Sequence, residues 1–61
     1  MKYKVQVWFR YYRNGQSEKD SEILENVEAE NDKQAKRKAA DYFANQRVIP
    51  YKTEILHEHN N

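Results

Sequence analysis

Lys2-Tyr3-Lys4-Val5-Gln6-Val7-Trp8-Phe9-Arg10-Tyr11-Tyr12 is the stretch that decides the fold. Tyr3, Val5, Val7, Phe9 and Tyr11 fall on one side of an extended chain; Lys4, Gln6, Trp8, Arg10 and Tyr12 fall on the other. A period of two in β-branched and aromatic residues marks a strand with one buried face. No other strand candidate in the chain is as apolar, which predicts a central position in a sheet.

Working outward, Arg13 to Asp20 is polar throughout, and Asn14-Gly15 is a turn signal because both residues tolerate positive φ. The expectation is a hairpin with a somewhat long loop and a second strand from about Ser21 to Glu30. In that strand Ile23, Val27 and Ala29 share a face with Glu25, while Leu24, Asn26, Glu28 and Glu30 share the other. Asn31 is a favourable helix N-cap, and Gln34 stands where a capping box needs it. The helix is expected to run to about Asn45 or Gln46, with Ala35, Ala39, Tyr42, Phe43 and Gln46 on its buried stripe. Pro50 holds Ile49 extended, and Tyr51 to Glu58 alternates as a third strand.

These elements predict an α+β fold of ββαβ type. Its three-stranded antiparallel sheet has the order 2-1-3, one sheet face packs on the helix, and the other is open. Residues 1–58 form a single domain, and 59–61 are expected to be a frayed tail.

Composition narrows the functional classes. A chain of 61 residues buries a modest core. With no cysteine it has neither disulfides nor thiolate metal sites, which points to a reducing compartment. No apolar run approaches the ~20 residues that span a bilayer, and the first residues lack a signal-peptide pattern. The expected setting is the cytoplasm, with no membrane partner. No Ser, His and carboxylate suggest a triad and there is no Gly-rich phosphate loop, so neither catalysis nor a cofactor is expected. His57 and His59 share a strand face but lack a third metal ligand at a useful spacing.

The open face is the informative part. The alternation places on it Lys4, Gln6, Trp8, Arg10 and Tyr12 from the first strand, Leu24 and Asn26 from the second, and Lys52 and Leu56 from the third. Trp8, Leu24 and Leu56 are expected to form an exposed apolar patch, which small monomers seldom leave unused. The first reading is a protein partner or homodimerisation, because Trp, Tyr and Arg dominate binding hot spots. The alternative is RNA or single-stranded DNA, with bases stacked on Trp8 and Tyr12 and phosphates met by Lys4, Arg10, Arg13 and Lys52. Lys33 and Arg37 on the helix, with Arg47 beyond it, are a candidate second basic patch.

Charge is unevenly distributed along the chain. The first thirteen residues carry only Lys2, Lys4, Arg10 and Arg13, whereas Glu18, Asp20, Glu22, Glu25, Glu28, Glu30 and Asp32 follow. The net charge is only +1. The simplest expectation is cross-strand pairing of a basic central strand with an acidic neighbour, which neutralises part of the basic face.

The runs Val27-Glu28-Ala29-Glu30-Asn31-Asp32-Lys33-Gln34-Ala35, Asn45-Gln46-Arg47-Val48 and Tyr51-Lys52-Thr53-Glu54-Ile55-Leu56 resemble the small LX-type proteins of the large ribosomal subunit. They also resemble short phage and mobile-element proteins with the same strand-to-helix junction. The ribosomal resemblance implies a ββαβ core and contact with ribosomal RNA. That pattern favours Gly and basic residues where this chain has Ala44, Asn45 and Gln46, so Arg47 alone carries over as an RNA contact.

Overall fold

The computed structural model describes residues 1–59, with side chains as far as Leu56. β1 (Lys2–Arg13), β2 (Gln16–Glu28), α1 (Asp32–Ala44) and β3 (Ile49–His59) follow one another along the chain. The strands form one sheet in the order β2-β1-β3, with β1 antiparallel to both neighbours. This is the ββαβ arrangement that the alternation in β1 predicts. Of the expected tail at residues 59–61, His59 is instead paired with Lys2 at the end of β3, and Asn60 and Asn61 lie outside the described residues.

The hairpin is tighter and longer than the polar run suggests. Arg13 pairs with Gln16, and between them Asn14 and Gly15 have φ of 52° and 78°. Positive φ at both central residues is the type I′ turn whose twist matches the flanking strands. The expected loop up to Asp20 is therefore strand, and β2 starts at Gln16 rather than Ser21. Polar residues suffice there because α1 does not reach that far. Thirteen helical residues span about 20 Å, whereas β1 at twelve residues spans about 40 Å. The molecule is accordingly elongated, 44 × 17 × 14 Å. Beyond Arg10, the last β1 residue paired with β3, the hairpin continues as a two-stranded arm.

The core is β1 against α1. Tyr3, Val5, Val7 and Phe9 are buried with Ala29, Ala35, Ala39 and Phe43. The two alanines one turn apart let the helix backbone approach the sheet, and Phe43 fills the far end by stacking on Phe9 at 5.3 Å between centroids. Tyr42 is expected in the buried stripe but is 53% exposed, with its ring edge-on to Phe43. Gln46 is likewise exposed, in the turn after the helix.

Capping fixes where α1 starts. The Gln34 N–H donates to Asn31 Oδ1 at 2.8 Å, and the Glu30 N–H donates to Gln34 Oε1 at 2.7 Å. This is a capping box displaced by one residue, since the reciprocal bond reaches Glu30 rather than the cap itself. Lys38 Nζ donates to the Glu28 carbonyl at 2.8 Å and ties the helix to the end of β2.

Two measurements check this account. Phe43→Ala is expected to cost about 3–5 kcal/mol in urea unfolding, a large share of the stability of so small a domain. Gly15→Ala is expected to cost about 1 kcal/mol through backbone strain alone, because a Cβ there meets nothing within 4 Å.

Candidate functional site

Pairing across β1 assigns residues to the open face. Gln6 lies between Ile23 and Glu54, Trp8 between Ser21 and Lys52, and Arg10 between Lys19 and Ile49. Tyr12 follows opposite Ser17 with no third strand beside it and is 67% exposed. Lys4, Trp8, Arg10, Tyr12 and Lys52 are thus on the face where the sequence places them.

Leu24 is not. It pairs with Val5, on the buried side of β1, and packs against the core. The cause is a bulge: Tyr3 opposes Val27 but Val5 opposes Leu24, so one extra β2 residue faces Lys4. Asn26 takes φ of 60° there, a left-handed conformation that asparagine tolerates better than most residues. An extra residue swaps the faces on either side of it. Val27 and Leu24 therefore both face the helix, and Ile23, expected in the core, is 48% exposed on the open face. Leu56 is displaced similarly. β3 skips it between the Val5–Ile55 and Lys4–His57 pairs, leaving it 41% exposed at an irregularity and away from the Trp8 row. A second irregularity, at Tyr51, lies between the Lys52 and Pro50 pairs.

The apolar patch is consequently a different one. Ile23 on β2, Trp8 on β1 and Ile49 on β3 occupy successive rows and run diagonally across the sheet. Diagonal neighbours lie within reach of large side chains. Lys52 Nζ sits 4.7 Å from the Trp8 ring centroid, and Lys19 Nζ sits 5.8 Å from that of Tyr51. Such contacts contribute roughly 0.5–1 kcal/mol at exposed sites. Gln6 Nε2 donates to Ser21 Oγ at 3.1 Å and joins two rows. Ile23, Ile49, Tyr51 and Lys19 are site residues that the alternation alone misses; an Asn inside a strand and a Pro near the start of one are the available signals for the irregularities.

The expected neutralisation by β2 holds at the Lys2–Glu28 pair but is corrected farther along the strand by the same register. Glu18 pairs with Tyr11, Asp20 with Phe9 and Glu22 with Val7, all on the helix side of the sheet. The acids therefore stand on the opposite face from Arg10, Lys19 and Lys52. On the open face Lys2 pairs with Glu28, and Glu54 stands beside Gln6. The sheet has a basic, aromatic face and an acidic row behind it.

Both sheet edges are blunted. On β2 the Ser21 N–H is held by Asp20 Oδ1 at 2.7 Å, and on β3 Pro50 lacks an N–H while the two irregularities break the edge. Prolines, bulges and charges at edges discourage added strands, which leaves the face as the larger available surface.

The second basic patch does not assemble. Lys33 and Arg37 are exposed beside Asn31 and Gln34 at the start of α1. Arg47, with φ of 63°, sits past the other end of the helix, about 20 Å away at the helical rise. The side chains of His57 and His59 lie outside the described residues, so the paired imidazoles are not placed. No helix among the described residues is long and apolar enough to cross a membrane. Comparison with protein-family models, curated proteins and solved structures gives no match for this chain.

The bulge makes a paired prediction. Leu24→Ala should destabilise the protein by about 2 kcal/mol, whereas Ile23→Ala should change stability by less than about 0.5 kcal/mol. Equal effects in chemical denaturation, or the reverse order, would contradict the register.

Proposed function

We propose that this protein is a small non-catalytic binding module whose open sheet face docks on a protein surface. One observation carries the reading. The Ile23–Trp8–Ile49 diagonal lies uncovered on a face bordered by blunted edges. Aliphatic and aromatic side chains flanked by Arg10, Lys19 and Lys52 match the composition of interface hot spots, with apolar anchors inside and charge around them. The polar groups of the face support a binding rather than a catalytic role. Ser21, opposite Trp8, receives its hydrogen bond from the Gln6 amide, which has no basicity with which to activate a hydroxyl.

Single-stranded nucleic acid is the second reading, favoured by the placement of the β2 acids behind the sheet. The contrary weight comes from the rings. Trp8 and Tyr51 already have ammonium groups over them, so base stacking there has to displace a lysine, and Ile23 and Ile49 add area that phosphates do not reward.

Site-specific photo-crosslinking in the cells that express the protein tests both readings. A crosslinker at Ser21 should give a discrete, protease-sensitive adduct, and one at Lys36 on the outer side of α1 should give none. A nuclease-sensitive adduct at Ser21 would select the second reading. Adducts at Lys36 without any at Ser21 would remove the open face from consideration.

A further inference from the structure

Resting on the reading of the open face as a docking surface, we infer that one occupant of that face is a second copy of this chain, seated by its acidic row. The two surfaces lie on opposite sides of the sheet. Arg10, Lys19 and Lys52 stand on the open side; Glu18, Asp20 and Glu22 stand on the other, one on every second residue of β2. Residues two apart on a strand are about 7 Å apart, so the three carboxylates form a row about 14 Å long. Asp20 and Glu22 are exposed and Glu18 is half-buried. The row is accessible because α1 lies mainly over β1 and β3 and is shorter than the hairpin.

Charge decides between the ways two copies can meet. Open face against open face brings the cations of one copy onto those of the other, a repulsive juxtaposition. Open face against acidic row pairs opposite signs and brings the apolar diagonal onto a strand surface. This contact uses different patches on the two copies, so it is heterologous and does not close at a two-fold dimer. Its footprint is small. The molecule is 17 Å wide, and about 20 Å along the strand covers the rows involved, well below the ~800 Å² per partner of a stable complex. The association is therefore weak, and salt suppresses it.

Sedimentation of the full chain across concentration, at low and high salt, tests this. At low salt the average mass should climb above the 7.4 kDa of one chain without levelling at a dimer, and high salt should return it to one chain. Neutralising either surface, by Glu18→Gln/Asp20→Asn/Glu22→Gln or by Arg10→Gln/Lys19→Gln/Lys52→Gln, should weaken self-association at least about tenfold, which is about 1.4 kcal/mol. An equimolar mixture of the two variants should then form one-to-one pairs and stop there, since each supplies one intact surface. Pair formation in the mixture also shows that both variants are folded. A wild-type chain that stays monomeric at all concentrations overturns the inference while leaving the Ser21 crosslinking result, and the docking face itself, standing. Association that strengthens with salt, or that survives both neutralisations, overturns it in favour of apolar face-to-face contact.

Discussion

Burial of one side of β1 under the alanine stripe of α1 is the contact on which the remaining structure depends. Tyr3, Val5 and Val7 are almost wholly removed from solvent, and Ala35 and Ala39 lie against them. Each such valine contributes about 1.5–3 kcal/mol by burial, and the alanines contribute by being small enough to bring two elements together. β1 is also the one strand paired on both sides. A shift of β1 by one residue would bury Lys4, Gln6 and Arg10 and expose the valines. The register of the sheet and the identity of its open face are thus set by a single energetic preference.

The parts of the fold that follow from this contact were legible in the sequence. The alternation of β1, the Asn14-Gly15 turn, the Asn31 cap and the Ala35, Ala39, Phe43 spacing each have a local physical cause, and each appears where that cause puts it. The flanking strands were legible only up to their irregularities. Alternation assumes one residue per position, and β2 and β3 break that assumption opposite Lys4, as β3 does again at Tyr51. One bulge exchanged Ile23 for Leu24 on the candidate surface. The polar start of β2 resembles a loop in sequence for a related reason. A strand with no helix over it has no need of an apolar side, so its sequence resembles a loop while its backbone is held by pairing to β1.

The same bookkeeping of faces explains the charge distribution. Summed over the chain, acids and bases nearly cancel, and a net charge of +1 argues against any strongly charged surface. Register shows that much of the cancellation is between faces, although Glu28 and Glu54 stand on the open face with the cations. Glu18, Asp20 and Glu22 have the parity of Tyr11, Phe9 and Val7, whereas Lys19 has that of Arg10. A field depends on where charges stand, so a nearly neutral chain still presents a basic face to a partner approaching the open side.

That sorting is a consequence of where the helix lies across the sheet. Glu22 and Asp20 pair with Val7 and Phe9, which α1 covers, and were α1 moved from β3 toward β2 these carboxylates would lie beneath it and face desolvation. Because α1 lies mainly over β1 and β3, the helix side of β2 is free to carry acids while its other side carries Lys19, and the arm is held by backbone pairing and by Tyr11 packing beside Phe9. Helix placement thus determines which part of the sheet serves stability and which part is available for recognition. Near Tyr3 to Phe9 one face is committed to the core. Beyond Arg10, Tyr11 still packs beside Phe9, but Tyr12, Arg13 and the residues opposite them are exposed and answer to whatever they meet rather than to the fold.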